Sequence, residues 1–379
     1  MINQALKDLV VSRLLPRVQT PGRYIGGELN SVVKAPGRVR GRMCLAFPDA
    51  YSIGMSHHGL QVLYAVMNRR EDWACERVFA PWTDMEACLR KERVPLYSLE
   101  TFTPLDRFDV LGFTLQYELC YTGVLTILDL GGIPLAADQR TLEHPLVIAG
   151  GPCAYNPEPM SRFIDLFVIG DGEETLPRVC DEWLRLRGSG GDRATLLTEM
   201  ARRIPSVYVP VCYQPQRDAE GRATSPRPAV AGLPEVIESA AVADLDAVPL
   251  PTAPVVPLVE CVQDRISIEI MRGCPWRCRF CQSCTTRRPL RFRRVETIVQ
   301  AAIESYRNTG YNEGSLLSLS TSDYPHFEEL MHRLREAFRA LKVSISVPSL
   351  RVNEQLASVS GLLETDRRSG LTLAPGAAR

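Results

Sequence analysis

No run of about eighteen apolar residues, the length a helix needs to cross a bilayer, occurs in the 379-residue sequence. The opening stretch, Met1 to Arg13, interrupts its short apolar runs with Asp8. It has no hydrophobic core leading to a cleavage site, so no signal peptide is expected. Neither sign of charge prevails: Lys and Arg together number 44, and so do Asp and Glu. That balance leaves no bulk field to favour nucleic acid or a membrane surface. No G-x-G-x-x-G opens a helix, which disfavours a nicotinamide or flavin dinucleotide. Histidine is scarce, five residues in all. The twelve cysteines fall short of disulfide-scaffold density, and the one tight cluster among them has metal spacing, so a reducing cytoplasm is the expected setting.

That cluster organises the chain. Arg272-Gly273-Cys274-Pro275-Trp276-Arg277-Cys278-Arg279-Phe280-Cys281 sets three cysteines at C-x3-C-x2-C, directly after the apolar, β-branched run Ile266 to Met271. A strand that ends in a short loop with three thiolates suits a thiophilic metal centre. A closed zinc site or an ordinary ferredoxin cluster takes four ligands. Three leave one iron of a 4Fe-4S cube open to something else. Cys284 completes a second C-x2-C with Cys281 and keeps a zinc knuckle open as the alternative. His326 and His332, on a predicted helix far downstream, do not complete one.

Ahead of it, strands alternate with helices. Met43-Cys44-Leu45-Ala46-Phe47 is a continuous apolar run ended by Pro48-Asp49, as a buried parallel strand would be, and Gly59 to Arg69 has helical apolar spacing. Val110 to Leu115 reads as the next strand with Leu119 to Leu130 as its helix. Leu146 to Ala149 ends in Gly150-Gly151-Pro152, and Leu166 to Ile169 ends in Gly170-Asp171-Gly172-Glu173-Glu174 before a helix Leu176 to Leu186. This alternation predicts a doubly wound parallel sheet, with ligands at the carboxyl ends of its strands. Gly54, Gly150, Gly151, Gly170 and Gly172 stand at those ends, where glycine permits close approach of a ligand and equally serves ordinary turns. His57 and His58 point some 100° apart on a helix, so a cap or a polar cleft wall suits them better than one shared ion. Asp49 either faces the ligand or caps the next helix.

With Phe280 before the last cysteine, the loop resembles that of the radical S-adenosylmethionine superfamily. Blocks from Phe47-Pro48-Asp49 to Gly59-Leu60, Gly112 to Glu118, Gly150 to Pro159 and Gly170 to Glu174 occur in order. They are similar to the cobalamin-binding-domain members of that superfamily, over nearly the whole chain from about Pro21. The resemblance implies a Rossmann-like cobalamin domain ahead of a partial (β/α) barrel. It implies a 4Fe-4S cluster on Cys274, Cys278 and Cys281, S-adenosylmethionine on the open iron, Phe280 beside its adenine, and an electron donor such as flavodoxin or ferredoxin. The D-x-H-x-x-G signature that places a histidine on cobalt is absent, because Asp49 is followed two places on by Tyr51. A radical enzyme without cobalamin is therefore the first rival. Cys44, Cys75, Cys88, Cys120, Cys153 and Cys180 are too scattered for a second cluster triad.

The predicted organisation is an extension over 1–40, the Rossmann-like domain over 41–187, a connector over 188–258 and the radical core over 259–379. In the connector a hairpin is expected between Val207–Val211 and Thr224–Val230, and the prolines from Pro249 to Pro257 suit an extended tether. In the core, strands are expected at Ser315 to Leu319, Val343 to Val347 and Gly370 to Leu373, with helices at Val295 to Asn308, Phe327 to Leu341 and Val352 to Leu363. Members of the superfamily hold the cofactor's amino group after the second strand. Ser320, Thr321, Ser322 and Asp323 stand there, and Ser322 or Asp323 could equally cap the next helix. Ser349 and Arg351 are candidates for the cofactor's sugar or carboxylate. Arg287, Arg288, Arg291, Arg293 and Arg294 form a basic cluster, either a solvated face or a phosphate contact. Only four of about six barrel strands fit before Arg379. The expectations are a fragment, one half of a split protein that needs a separate C-terminal half, or an inactive copy acting as a binding partner.

Overall fold

A computed structural model describes residues 2–348, 350–351 and 373–374. The chain divides into two compact units: Met1–Ala240 with Pro257–Cys261, and Ala241–Val256 with Val262–Arg379. The first unit opens with helix α1 (Gln4–Leu9), capped by the Asn3 side chain and continued by tighter and wider turns to Arg17. Its sheet holds β1 (Gly41–Phe47), β2 (Trp73–Phe79), β3 (Val110–Thr114), β4 (Leu146–Gly150), β5 (Leu166–Val168) and β6 (Val207–Tyr208). The order is β2-β1-β3-β4-β5-β6, parallel apart from β6, which runs antiparallel to β5. Between the strands run α2 (Tyr51–Gly54), α3 (His58–Arg69), α4 (Thr83–Glu92), α5 (Tyr121–Leu130), α6 (Gly172–Ser189) and α7 (Arg193–Arg203).

The continuous apolar runs form β1, β3, β4 and β5 as expected. The apolar pattern alone does not reveal β2, because Glu76 and Arg77 sit in its middle, yet every residue of β2 is buried. The charges are matched by distant groups. The fully buried Arg77 pairs with Glu100 at 2.6 Å and Glu28 at 3.1 Å, and Glu76 receives Arg42 at 2.7 Å and the Thr101 hydroxyl at 2.6 Å. Burial pushes the Glu100 carboxyl up to about 7, against the pull of Arg77.

The hairpin in the connector forms one segment later than expected. Its arms are β7 (Tyr213–Arg217) and β8 (Ala223–Pro228), and Val207–Tyr208 joins the main sheet instead. Pro210 lacks an N–H for a ladder and starts a short turn, Pro210–Cys212, which separates the two strands.

The second unit holds β9 (Ile266–Glu269), β10 (Met271–Arg272), α8 (Ser283–Thr286), β11 (Arg291–Phe292), α9 (Val295–Thr309), β12 (Glu313–Leu317), α10 (Phe327–Phe338), β13 (Ser344–Ser346), β14 (Leu350–Arg351) and β15 (Leu373–Ala374). Its main sheet is parallel in the order β13-β12-β9, and β14 pairs β15 in parallel. Period-two alternation sends Ile266, Ile268 and Ile270 into a core shared with Ile298, Ala302, Leu330 and Leu334 from the two helices. The expected helix over 352–363 lies outside the described residues.

The basic cluster takes neither expected role at two of its five positions, Arg291 and Arg293, which are buried, while Arg294 stays exposed. Arg291 donates to the Val242 carbonyl at 2.7 Å, Arg293 to the carbonyls of Leu245 and Val248, and Arg294 pairs with Asp246 at 2.9 Å. These three hold residues 242–248 against the segment 291–294 within the second unit. Among the described residues no helix is long and apolar enough to cross a membrane.

Candidate functional site

The loop that carries the three cysteines leaves the carboxyl end of β9 and is closed at its base. Met271 and Arg272 pair antiparallel with Phe292 and Arg291, so residues 273–290 form a loop whose two ends meet. Gly273 sits where the ends cross, at φ +95°. A Cβ there would come 2.6 Å from the Arg287 carbonyl oxygen, so only glycine fits. Cys274, Cys278 and Cys281 follow within one short excursion, all three half-buried and none in a disulfide. The Cys281 N–H donates to the Cys278 carbonyl at 3.0 Å, a turn that brings these two positions back together.

Three thiols on one open loop, reachable from solvent, are the donor set an iron–sulfur cluster takes. Among the described residues no three Cys, His, Asp or Glu side chains converge as a metal-holding group. Cys284 lies on α8, His332 within α10 and His326 at its start. Phe280 projects with 82 % of its surface exposed, free to cover a flat ligand beside the loop.

A hydrogen bond joins this loop to the end of β12: Trp276 Nε1 donates to Asp323 Oδ2 at 2.6 Å. The four residues expected to hold an amino group differ in what they leave available. Ser320 donates its hydroxyl to the same Asp323 oxygen, and Thr321, fully buried, is hydrogen-bonded to Ser318 at 2.8 Å. Ser322 is buried as well, so Asp323, half-buried, is the acidic group presented at the strand end. Glu269, at the end of β9, takes both arms of Arg272 at 2.9 and 2.8 Å. Neither Trp276 nor Glu269 stood out in the sequence as a site residue. The i,i+3 spacing of Glu269 and Arg272 across a strand end was the available signal for that pair.

Across the face of the sheet opposite the core, Ser267, Ser315 and Ser346 stand in register on β9, β12 and β13. Barrel interiors are ordinarily filled by branched apolar side chains. A row of hydroxymethyl groups makes this face polar, with Ser315 buried and Ser267 and Ser346 half-buried. Ser349 lies outside the described residues, and Arg351 lies on β14.

In the first unit the sheet order reverses between β1 and β3, which puts the ligand crevice expected of such sheets at their carboxyl ends. Asp49 after β1 and Tyr117 after β3 meet there: the Tyr117 hydroxyl donates to Asp49, and Asp49 also accepts the Ala50 N–H at 2.6 Å. Burial, then the neighbouring carboxylate, pushes the Tyr117 hydroxyl up, so it stays a donor. His57 caps α3, its Nδ1 accepting the Leu60 N–H at 3.0 Å.

The glycines divide. A Cβ on Gly54 would strike the Phe79 ring, and one on Gly170 would strike the Ala240 carbonyl, which pairs with the Asp171 N–H at 2.9 Å. Gly151, at φ +98°, would place a Cβ 2.7 Å from the Leu115 carbonyl oxygen, and Gly172 would place one 3.1 Å from Leu63. Gly150 meets nothing closer than 3.7 Å. A separate cleft of about 360 Å³ lies on the amino side of β5, lined by Ile164, Asp165, Arg193, Tyr208 and Tyr213. The Nη atoms of Arg193 there are taken up by carbonyls of Thr141, His144 and Pro145 and by Asp165.

Residues 59–210 match the family of radical SAM proteins, N-terminal, and residues 268–364 match the radical SAM superfamily. The chain is 25 % identical over 296 residues to an uncharacterised protein of Methanocaldococcus jannaschii, covering 76 % of this chain and 54 % of that one. It is similar in fold to a radical S-adenosylmethionine methyltransferase, TsrM, from Kitasatospora setae, solved with cobalamin and a 4Fe-4S cluster. The TM-score is 0.51 at 14 % identity, over 88 % of this chain and 60 % of that one. The same protein with its tryptophan substrate and a SAM analogue gives 0.51 at 14 %, over 88 % and 58 %. The chain therefore spans little more than half the length of the relatives it matches. The first match lies within the first unit and the second within the second unit.

Proposed function

We infer that the chain is part of a cobalamin-linked radical S-adenosylmethionine enzyme acting on a polar substrate at an unactivated carbon. The observation that carries this reading is the base-closed loop after β9 with its three half-buried cysteines. When bound, the cluster and S-adenosylmethionine together supply one-electron cleavage of a carbon–sulfur bond and a radical that takes hydrogen from carbon, and cobalamin supplies methyl transfer or rearrangement. The chain's part is to bind and orient. Cys274, Cys278 and Cys281 hold iron, Phe280 covers the adenine, and Asp323 accepts from the ammonium group. The row Ser267, Ser315 and Ser346 offers the substrate hydroxyls across three neighbouring strands. Electrons come from a small redox protein such as flavodoxin or ferredoxin.

The cobalamin link is supported by the order of the blocks in the first unit and by the likeness to a fold solved with that cofactor. One observation favours a second reading, a radical enzyme without cobalamin: Gly54, Gly151 and Gly170 are closed off by the chain's own atoms. Anaerobic reconstitution with iron and sulfide, followed by absorption and paramagnetic resonance spectra, tests the first claim. A band near about 400 nm, perturbed by S-adenosylmethionine, is expected. Folded protein that takes up no cluster overturns the enzyme reading for this chain and leaves a binding partner. Hydroxocobalamin retained through desalting supports the link, and its complete loss favours the second reading.

A further inference from the structure

The cluster loop reaches across to the end of the second strand of its own unit through a hydrogen bond. Trp276 lies between the first two cysteines, is 42 % exposed, and its indole N–H donates to Asp323, 47 residues away. The same carboxylate oxygen receives the Ser320 hydroxyl. Two donors on Oδ2 fix the rotation of a short side chain that would otherwise turn freely at the edge of solvent, and they leave Oδ1 for a third donor. Hydrogen bonds to an ionised acceptor are the strong kind. The neighbouring hydroxyls do not compete for the role, because Thr321 is turned inward to Ser318 and Ser320 is itself committed to Asp323.

We propose that Trp276 is a positioning residue: from within the cluster loop it aims the Asp323 carboxylate at the ammonium group of bound S-adenosylmethionine. This rests on the cofactor reading above. It makes the loop that carries the iron ligands and the strand end that takes the amino group one mechanical piece. A loop displaced from its bound arrangement releases Asp323, and the cofactor's amino acid end loses its partner.

The test uses the reconstituted chain and three probes: S-adenosylmethionine, S-adenosylhomocysteine and 5′-methylthioadenosine. The last shares the adenosyl thioether but has no amino acid group. Trp276→Phe keeps a ring and deletes the donor. Equilibrium dialysis should show binding of the first two probes weakened about tenfold, the worth of one hydrogen bond to a charged group. Methylthioadenosine binding and iron content should not change. Ser320→Ala, which leaves the loop untouched, should give a smaller loss with the same selectivity. Adding Trp276→Phe to Asp323→Asn should weaken binding no further than Asp323→Asn alone. Equal loss of all three probes, or loss of iron, would make Trp276 a structural prop of the loop and overturn the proposal. Unchanged binding of all three would overturn it too. A parent protein that takes no cluster or binds none of the probes refutes the underlying enzyme reading instead, a result separate from either.

Discussion

The two units spend the same residue type in opposite ways. In the first, Cys44, Cys75 and Cys180 are wholly buried among strands and helices, and burial pushes each thiol up, so they remain protonated and inert. In the second, Cys274, Cys278 and Cys281 are half-exposed on the loop between β10 and α8. Strand ends differ likewise. In the first unit the chain's own carbonyls and rings press against Gly54, Gly151 and Gly170, whereas in the second the strand ends present thiols, a carboxylate and an exposed aromatic ring. What a cysteine or a strand end can do is decided by whether the rest of the chain has already used the space.

The sharpest way to break that contrast is to remove one cysteine from each set. Cys278→Ala should abolish the band near about 400 nm and reduce bound iron to background after reconstitution. Cys180→Ala should keep both and cost about 1–2 kcal/mol, the price of a small cavity, read as a lower denaturation midpoint. Iron lost equally from both variants would erase the distinction between the two sets.

Charge separates the units as well. Arg77 is closed in with Glu28 and Glu100, whereas the arginines near the cluster loop tie down loops through carbonyls or partly exposed partners. Arg77→Ala strands two buried carboxylates and should destabilise the first unit by about 3–5 kcal/mol, measured by denaturant unfolding. A milder probe is pH. Burial raises the Glu100 carboxyl to about 7 in the folded chain, above the ordinary value of 4.5. A raised acid favours folding when protonated, so this group's contribution is full below about 4.5 and is lost as pH rises through about 7. The unfolding midpoint should therefore fall over that window in the parent, and the fall should flatten in Glu100→Gln. An identical slope in both would place the titration elsewhere.

Legibility followed range. The three cysteines, their glycine and the strand before them are neighbours in sequence, so spacing alone pointed to a thiophilic centre on that loop. β1, β3, β4 and β5 are bare apolar runs and could be read directly. β2 could not, because the burial of Arg77 depends on Glu28 and Glu100, each separated from it by tens of residues. The hairpin was displaced because Val207–Val211 has a strand's composition while Pro210 denies it a ladder. The link from Trp276 to Asp323 has no local signature, and neither does the serine row, which exists only once three strands are in register.

The smallest expected effect on stability sharpens the comparison most for the first unit. Gly150 ends β4 as Gly151 does, but its backbone is not in the left-handed region and a Cβ there would make only ordinary contacts at 3.7 Å. Gly150→Ala should therefore change stability by less than about 1 kcal/mol, with either sign allowed because alanine also narrows the unfolded ensemble. Gly151→Ala, forced to φ +98° against the Leu115 carbonyl, should cost more. The pair divides folding from binding. If the strand ends of the first unit take a ligand, Gly150→Ala adds a methyl group where the ligand approaches and should release hydroxocobalamin on desalting from a protein whose unfolding curve is unmoved. Retention in Gly150→Ala together with loss only in the destabilised Gly151→Ala would make these glycines servants of the fold, and the crevice at Asp49 and Tyr117 would have to be probed from its other side.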